Sequence, residues 1–291
     1  MTVGIVSPGA MGSAVGAALA RGGVRVVATL AGRSERTSRL AQRAGVELLS
    51  DLESVVRAAD VVLSIAPPEA ARAIAGDIAR AGRDVGEPRL VADLNAVSPA
   101  TARAIADELA RAQVDLVDGS ISGPPPWNTG TTRIYLSGAR AREIAELPID
   151  GVERVVVGDE VGTASAVKMS TASVYKGTSA LLAQALLAAQ ANGVLEHVLD
   201  DLRAGAPELV ANVEPRLASA ASKSSRYVGE MREIAATQEA AGLTPALFEA
   251  MAEVYAALAT SEIAQVAPED LPRGSPLADV LDRLREARQS S

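Results

Sequence analysis

Cysteine is missing from the 291 residues, and histidine occurs once, at His197. The first absence excludes disulfides, thiolate metal sites and a cysteine nucleophile, and it is compatible with a reducing compartment. The second excludes a metal centre built from several histidines, so no metal is expected. His197, beside Glu196 near the end of a helical run, reads as a surface residue. Aromatic residues make up 2% (one Trp, one Phe, four Tyr), so the core must be aliphatic and its helices packed on alanine. Basic residues are outnumbered: 28 Lys and Arg against 36 Asp and Glu give a formal net charge of -8. With no basic stripe and no interleaved aromatics, this argues against a nucleic-acid partner. No run of eighteen apolar residues occurs, because Lys176, Gln184 and Gln190 interrupt the best candidate, so no membrane span is expected. The start, MTVGIVSPGAMG, lacks the charged head and long apolar stretch of a signal peptide. A soluble, cytoplasmic protein is expected.

What the chain has in quantity is alanine at helical spacing. Val161 to Asn192 reads VGTASAVKMSTASVYKGTSALLAQALLAAQAN, without proline, and ends on Asn192-Gly193. Ala and Leu are strong helix formers and Asn-Gly is a good helix stop. About thirty residues at ~1.5 Å rise make a rod of roughly 45 Å, a spine leading from one domain into the next. Lys168 stands among small or apolar side chains. Its face, stepping by three and four, reads Ala164, Lys168, Ala172, Tyr175, Ser179. An ammonium flanked by little bulk is a candidate site; a lysine snorkelling to water would read the same way.

Before the spine, strand and helix alternate. Val3–Val6 leads into Ser7-Pro8-Gly9-Ala10-Met11-Gly12 and a small-residue helix, SAVGAALARGG. A strand, a glycine-rich turn and a helix let backbone N–H groups and a helix N-terminus hold a pyrophosphate. Gly9 and Gly12 meet the second and third positions of G-x-G-x-x-G, with Ser7 in place of the first. A second strand, Val24–Leu30, completes the βαβ unit. The next residues carry the coenzyme preference: Ala31-Gly32-Arg33-Ser34-Glu35-Arg36 has a guanidinium and a hydroxyl where an NAD site wants an acid. Planar donors suit a 2′-phosphate, so NADP is preferred over NAD.

Gly45–Leu48 predicts a strand, Asp51–Ala59 a helix capped by Ser50 or Asp51, and Asp60–Ile65 a buried strand ending at Ala66-Pro67-Pro68. A helix to Ala81 and a strand Arg89–Asp93 follow. Ser98-Pro99 then reads as N-cap and first turn of a helix through Ala110, and Asn95 stands just before that cap, where an amide could meet a ring or ribose. Such alternation predicts a parallel, doubly wound α/β sheet. After it come a strand Val114–Val117, the stretch Asp118 to Trp127 with three consecutive prolines, a strand Thr132–Leu136, a helix from about Arg140 and a strand Val152–Val157. The prolines predict a stiff, extended wall. Ser122 and Gly123 offer a hydroxyl and backbone N–H groups to a carboxylate or phosphate, although a tight surface loop would look alike. Beyond Asn192 helices are expected, including Glu208–Ala221 and Phe248–Ala264, with a polar, fraying tail at Arg283–Ser291. Two domains are expected, residues 1–160 and 161–291. The spine is apolar on several sides, which predicts a homodimer packed through the helical domain.

Together, SPGAMG, GRS, DLNAVSP, DGSISGPP and GTASAVK resemble, in order and over nearly the whole chain, the β-hydroxyacid dehydrogenases, the group of 3-hydroxyisobutyrate and 6-phosphogluconate dehydrogenases. The resemblance implies a Rossmann-like NAD(P) domain, an all-helical C-terminal domain entered by one long helix, hydride transfer and, commonly, a dimer. It implies coenzyme contacts at Ser7, Pro8, Gly9, Ala10, Met11, Gly12, Arg33, Ser34, Ala66, Pro67 and Asn95. It also implies substrate contacts at Ser122, Gly123 and Pro124 and Lys168 as catalytic acid and base; farther along the spine Ala172 is assigned to the substrate side, and Tyr175 either hydrogen-bonds the substrate or fills the pocket wall. Ala172 stands where the family usually has Asn. A later family lysine, in K-D-L, has no counterpart in the nearest stretch, Arg226-Tyr227-Val228. The implied substrate is a small, carboxylate-bearing molecule. The sequence is nearer a branch whose C-terminal region is known only as 6-phosphogluconate dehydrogenase-like. Two other readings remain open: an imine reductase on the same scaffold, and a non-catalytic NADP-binding sensor.

Overall fold

The computed structural model describes residues 1–82, 90–128, 130–272 and 274–285. It divides into two compact units, Met1–Met169 and Ser170–Ser291.

The first unit is built on strands β1 (Thr2–Val6), β2 (Arg25–Thr29), β3 (Glu47–Leu49), β4 (Val61–Ser64), β5 (Leu90–Asp93), β6 (Asp115–Ser122), β7 (Thr132–Ser137) and β8 (Val152–Gly158). They form one sheet in the order β3-β2-β1-β4-β5-β6-β7-β8. All neighbours are parallel except β6 and β7. The helices between them are α1 (Ala10–Arg21), α2 (Glu35–Arg43), α3 (Leu52–Ala58), α4 (Pro68–Gly82), α5 (Pro99–Ala110) and α6 (Ala141–Ala145). Strands covered on both faces must be apolar at successive residues, and they are. Val3, Ile5, Leu63 and Ala92 pack on one face with Val15 and Leu19 of α1. Val6, Val62 and Val91 pack on the other with Ile74 and Ile78 of α4 and Ile105 and Leu109 of α5. The buried residues of both clusters are aliphatic, as the scarcity of aromatics requires.

Several local features differ from the sequence expectation, each for a physical reason. Helix α2 carries no apolar periodicity in the sequence, because its nine residues are mostly polar, with Ala41 as its buried contact. Strand β3 starts two residues late, since Gly45 turns the chain at φ 67°. Strand β6 continues through Ser122, pairing with β7, so Asp118 to Ser122 is ladder and not loop. The prolines do not form an extended wall: Trp127 donates to the Pro125 carbonyl at 2.8 Å, and Thr132 Oγ1 donates to the Pro124 carbonyl at 2.6 Å, closing a turn. Residue 89, expected to open β5, lies outside the described residues, as does the tail beyond Arg285.

Helix α7 runs from Thr163 to Ala191, 29 residues. The second unit comprises its later part with α8 (Leu195–Gly205), α9 (Pro207–Val210), α10 (Val213–Ala221), α11 (Ser224–Ala240), α12 (Ala246–Leu258) and α13 (Leu277–Arg285). The expected helix over 208–221 is broken at Ala211-Asn212, and the one over 248–264 stops at Leu258, followed by a 3₁₀ turn at Glu262–Gln265. Here the core does use aromatics: Tyr255 is fully buried and Phe248 nearly so. Among the described residues no helix is long and apolar enough to cross a membrane.

Candidate functional site

The strand order reverses between β1 and β4, the place where an open α/β sheet leaves a crevice at the carboxyl ends of its strands. The loops that follow β1, β4, β5 and β6 carry most of the residues singled out from the sequence.

The turn after β1 is tight. Ser7, in place of the first fingerprint glycine, takes φ 68°, a left-handed conformation uncommon outside glycine. Gly9 N–H donates to the Ser7 carbonyl at 2.8 Å, and buried Ser13 Oγ donates to the Pro8 carbonyl at 2.6 Å. A Cβ on Gly12 would lie 2.5 Å from the Ser7 carbonyl oxygen, so a side chain there would push the turn open. A Cβ on Gly9 would meet nothing within 4 Å: the backbone faces open space. Gly9 is the N-cap of α1 and has no side chain to occupy the helix's N–H groups, and the first turn carries no acid. An anion is favoured at such a helix end. The residues present therefore fit a pyrophosphate.

Arg33 and Ser34 are exposed in the turn between β2 and α2. The Ser34 hydroxyl caps α2, accepting from Thr37 N–H at 3.3 Å. Arg33 is thus the residue of the pair whose side chain is left for a ligand. Ala66 and Pro67 follow β4, with Pro68 opening α4. Asn95 is buried, and its amide works on the protein: Oδ1 accepts from Ala66 N–H at 2.6 Å, and Nδ2 donates to Ser64 Oγ at 3.0 Å. Its effect on a ligand would run through the shape of the loops it ties.

Ser122 ends β6, and Gly123 follows at φ 107°, its Cβ position 2.5 Å from the Thr131 carbonyl. Glycine is required there on both counts. Pro124 is exposed beside it. Lys168, half-buried on α7, donates from Nζ to the Ile121 carbonyl at 2.7 Å, one residue before Ser122. Ala172 is buried in the second unit, whereas Tyr175 is 73% exposed.

Two features were missed in the sequence. Asp118, 1% exposed, accepts from Gly162 N–H at 2.9 Å, Ser165 N–H at 3.0 Å, Ser165 Oγ at 2.6 Å and Ser137 Oγ at 2.9 Å. It fastens the start of α7 to the sheet. Its signal is the D of DGSISG, hidden because the expected strand ends at Val117 whereas β6 runs through Ser122. In the second unit Lys176, noted only as a break in an apolar run, pairs with buried Glu230, which Arg226 also meets at 3.0 Å. Lys176 lies 4.5 Å over the Tyr227 ring, which packs edge-on against Tyr255. No group of three or more His, Cys, Asp or Glu is placed to hold a metal ion among the described residues.

A crevice of this kind belongs to dinucleotide-binding α/β proteins. The profile of the NAD binding domain of 6-phosphogluconate dehydrogenase matches residues 2–149, half the chain, and the protein belongs to that family. A domain of unknown function, DUF1932, matches residues 189–258. A conserved protein of unknown function, MTH1747, described as structurally similar to 3-hydroxyacid dehydrogenases, is 29% identical, with 99% of this chain and 98% of that one covered and a TM-score of 0.62. Mycobacterium tuberculosis 3-hydroxyisobutyrate dehydrogenase, solved with L-serine, shares the fold at 19% identity, with 98% and 99% covered and a TM-score of 0.70. An imine reductase from Myxococcus stipitatus in complex with NADP+ shares it at 20% identity, with 89% and 93% covered and a TM-score of 0.55.

Proposed function

We propose that the chain is an NADP-dependent oxidoreductase that moves a hydride between nicotinamide and a small hydroxy-acid or carbonyl substrate, with Lys168 as general acid and base. The observation that carries this reading is the Lys168 ammonium, tied at 2.7 Å to the Ile121 carbonyl beside Ser122-Gly123, at the ligand-binding edge of the sheet. In this reading Ser7 to Gly12 and the start of α1 hold the pyrophosphate. Arg33 takes the 2′-phosphate, and Ala66, Pro67 and Asn95 shape the nicotinamide side. Ser122 Oγ and the backbone at Gly123 and Pro124 receive the substrate's carboxylate. The domain over 1–160 binds coenzyme, and the helical domain over 161–291, which carries Ala172 and Tyr175, supplies the contacts of a homodimer.

A bound nicotinamide coenzyme supplies or accepts the hydride. In reduction Lys168 gives its Nζ proton to the carbonyl oxygen, so that the carbonyl gains a hydride at carbon and a proton at oxygen; in oxidation the neutral amine takes the hydroxyl proton back. Such acid–base help is typically worth ~10²–10⁴ in rate. Lys168→Met is expected to slow turnover by about a hundredfold or more while NADPH binding stays near normal. NADPH oxidation with a panel of small keto acids and aldehyde acids is the measurement, and a fully active variant removes Lys168 from the mechanism.

The fold shared with imine reductases gives the second reading its footing. Turnover of cyclic imines in place of the acids would favour it. Tight NADPH binding with no turnover on either panel would favour a sensor.

A further inference from the structure

A set of side-chain hydrogen bonds links the start of α7 to β6 and its neighbour β7. Asp118 gathers four donors at 2.6–3.0 Å, three of them from Gly162 and Ser165. Ser137 Oγ receives Ala164 N–H at 3.0 Å, and Ser120 Oγ donates to the Ala164 carbonyl at 3.0 Å. Three residues beyond Ser165 comes Lys168, whose Nζ reaches the carbonyl of Ile121, three residues beyond Asp118 on the same strand. Successive helical residues are turned by about 100°. A slip in the phase of the first turn would therefore swing the ammonium off its carbonyl.

Asp93 stands directly opposite Asp118 in the parallel ladder of β5 and β6. It is 2% exposed; Oδ1 accepts from Asn95 N–H at 2.8 Å, and Oδ2 is buried with no hydrogen-bond partner. Adjacent strands are ~4.8 Å apart, and two carboxyls so close resist double ionisation. Asp118 acts only as acceptor, the role of an ionised carboxylate, so the proton of the pair falls to Asp93.

We propose that Asp118 is the positioning residue for Lys168, fastening the first turn of α7 to β6, and that Asp93 sets how firmly that fastening holds. The inference rests on the reading of Lys168 as the acid–base group. Burial pushes the Asp93 carboxyl up to about 7; the negative Asp118 pushes the same way, and the Asn95 N–H opposes both. Around Asp93, β6 contributes the charge of Asp118. Strand β4 contributes Ser64, engaged by Asn95, and α7 contributes Ser165, engaged by Asp118. Below about pH 7 Asp93 is neutral and Asp118 holds its four donors undisturbed. Above it a second negative charge faces Asp118, and the anchor loosens.

The chain has three lysines, Lys168, Lys176 and Lys223, so protein labelled with ¹³Cε-lysine gives three signals, assignable by Lys→Arg substitution. In the wild type the Lys168 signal is expected to show an inflection near pH 7 that Lys176 and Lys223 lack. Asp93→Asn should abolish that inflection. Asp118→Asn should move the Lys168 signal to the value of a solvated lysine, and lower kcat by roughly ten- to a hundredfold with KM for NADPH within about twofold. Ser165→Ala, which removes one of the four donors and keeps the carboxylate, should shift the same signal in the same direction by less, and it serves if Asp118→Asn does not fold. A Lys168 signal unmoved by both variants overturns the proposal. Full activity of Lys168→Met with the signal shifts intact would instead overturn the catalytic reading alone.

Discussion

The two units bury charge by opposite means. In the sheet unit Asp118 is held by two backbone N–H groups and two hydroxyls, and Asp93 beside it stays neutral up to about pH 7. In the helical unit Glu230 is held by two cations, Lys176 and Arg226, with Lys176 lying over Tyr227. Donors at a helix start do for one carboxylate what counter-ions do for the other. The first arrangement fixes a helix phase, because three of its four donors belong to the single turn Gly162–Ser165. The second ties the later part of α7 to α11 through long side chains, and α12 joins them through Tyr255, whose hydroxyl donates to the Lys176 carbonyl at 2.7 Å.

The contrast is broken most forcefully in the helical unit. Glu230→Ala leaves two cations without the carboxylate between them, and breaking a buried pair from one side costs ~3–5 kcal/mol. Urea unfolding should show a loss of that size, whereas Lys176→Met with Glu230→Leu should recover most of it. Equal losses in single and double variants would mean that packing, and not charge, decides.

In the sheet unit the corresponding effect depends on pH. Burial holds the Asp93 carboxyl at about 7, above the ordinary aspartate value of 3.8, so between those values the native state holds a proton that the unfolded chain has released. Stability contributed at this site falls as pH rises from about 4 to about 7 and is level above that. Asp93→Asn should therefore become more stable relative to wild type across that window, by an amount on the order of a few kcal/mol, and by no further amount beyond it. Unfolding midpoints collected from pH 4 to 9 check the sign, and a difference flat with pH sinks the argument.

How much of this could be read beforehand follows the same division. In the sheet unit, buried apolar strands, Ser98-Pro99 and the SPGAMG turn each announce themselves locally, whereas the polar helix α2 and the continuation of β6 through Ser122 do not. The reach of Lys168 to β6 joins residues 47 apart, and only the shared motif order brought them together. Asp118 was invisible because its four donors come from two stretches, Ser137 and the turn Gly162–Ser165, 19 to 47 residues away. The second unit was harder still. Alternation has no meaning there, and a lysine and glutamate 54 residues apart carry no local sign that they pair. Asn95 directs its amide at Ser64 and Ala66, which no spacing argument foretells.

The helical unit also leaves apolar surface where the sheet unit leaves little. Val174, Leu181 and Leu247 are 64%, 63% and 54% exposed. Leu181 and Leu247 line one groove with Ala180, Ala250, Met251 and Val254. Exposed patches of this kind mark association surfaces, and the proposed homodimer is the occupant. Leu181→Glu is expected to weaken self-association by at least about tenfold, ~1.4 kcal/mol, with the unfolding midpoint of the separated chain little changed. Sedimentation across micromolar concentrations reads this directly; wild type sedimenting as a monomer would remove the dimer.

The smallest effect tests how helices begin in each unit. In the sheet unit α2, α3 and α5 start on Ser34, Asp51 and Ser98, each accepting from an N–H three residues on. In the helical unit α8, α9, α10, α11 and α12 start on Val194, Ala206, Asn212, Lys223 and Pro245, without a side-chain cap bond. Local capping thus supports three helices of the sheet unit, whereas α1, α6 and these five helices of the helical unit start without it and rest on tertiary packing. Ser98→Ala should cost ~1 kcal/mol, the usual worth of a cap, because Thr101 N–H loses its acceptor at 3.2 Å. Asn212→Ala, at the same position of α10, has no cap bond to lose and should change stability by no more than a few tenths of a kcal/mol. Equal losses at the two sites would erase the distinction, since Asn212 would then be capping in solution as Ser98 does.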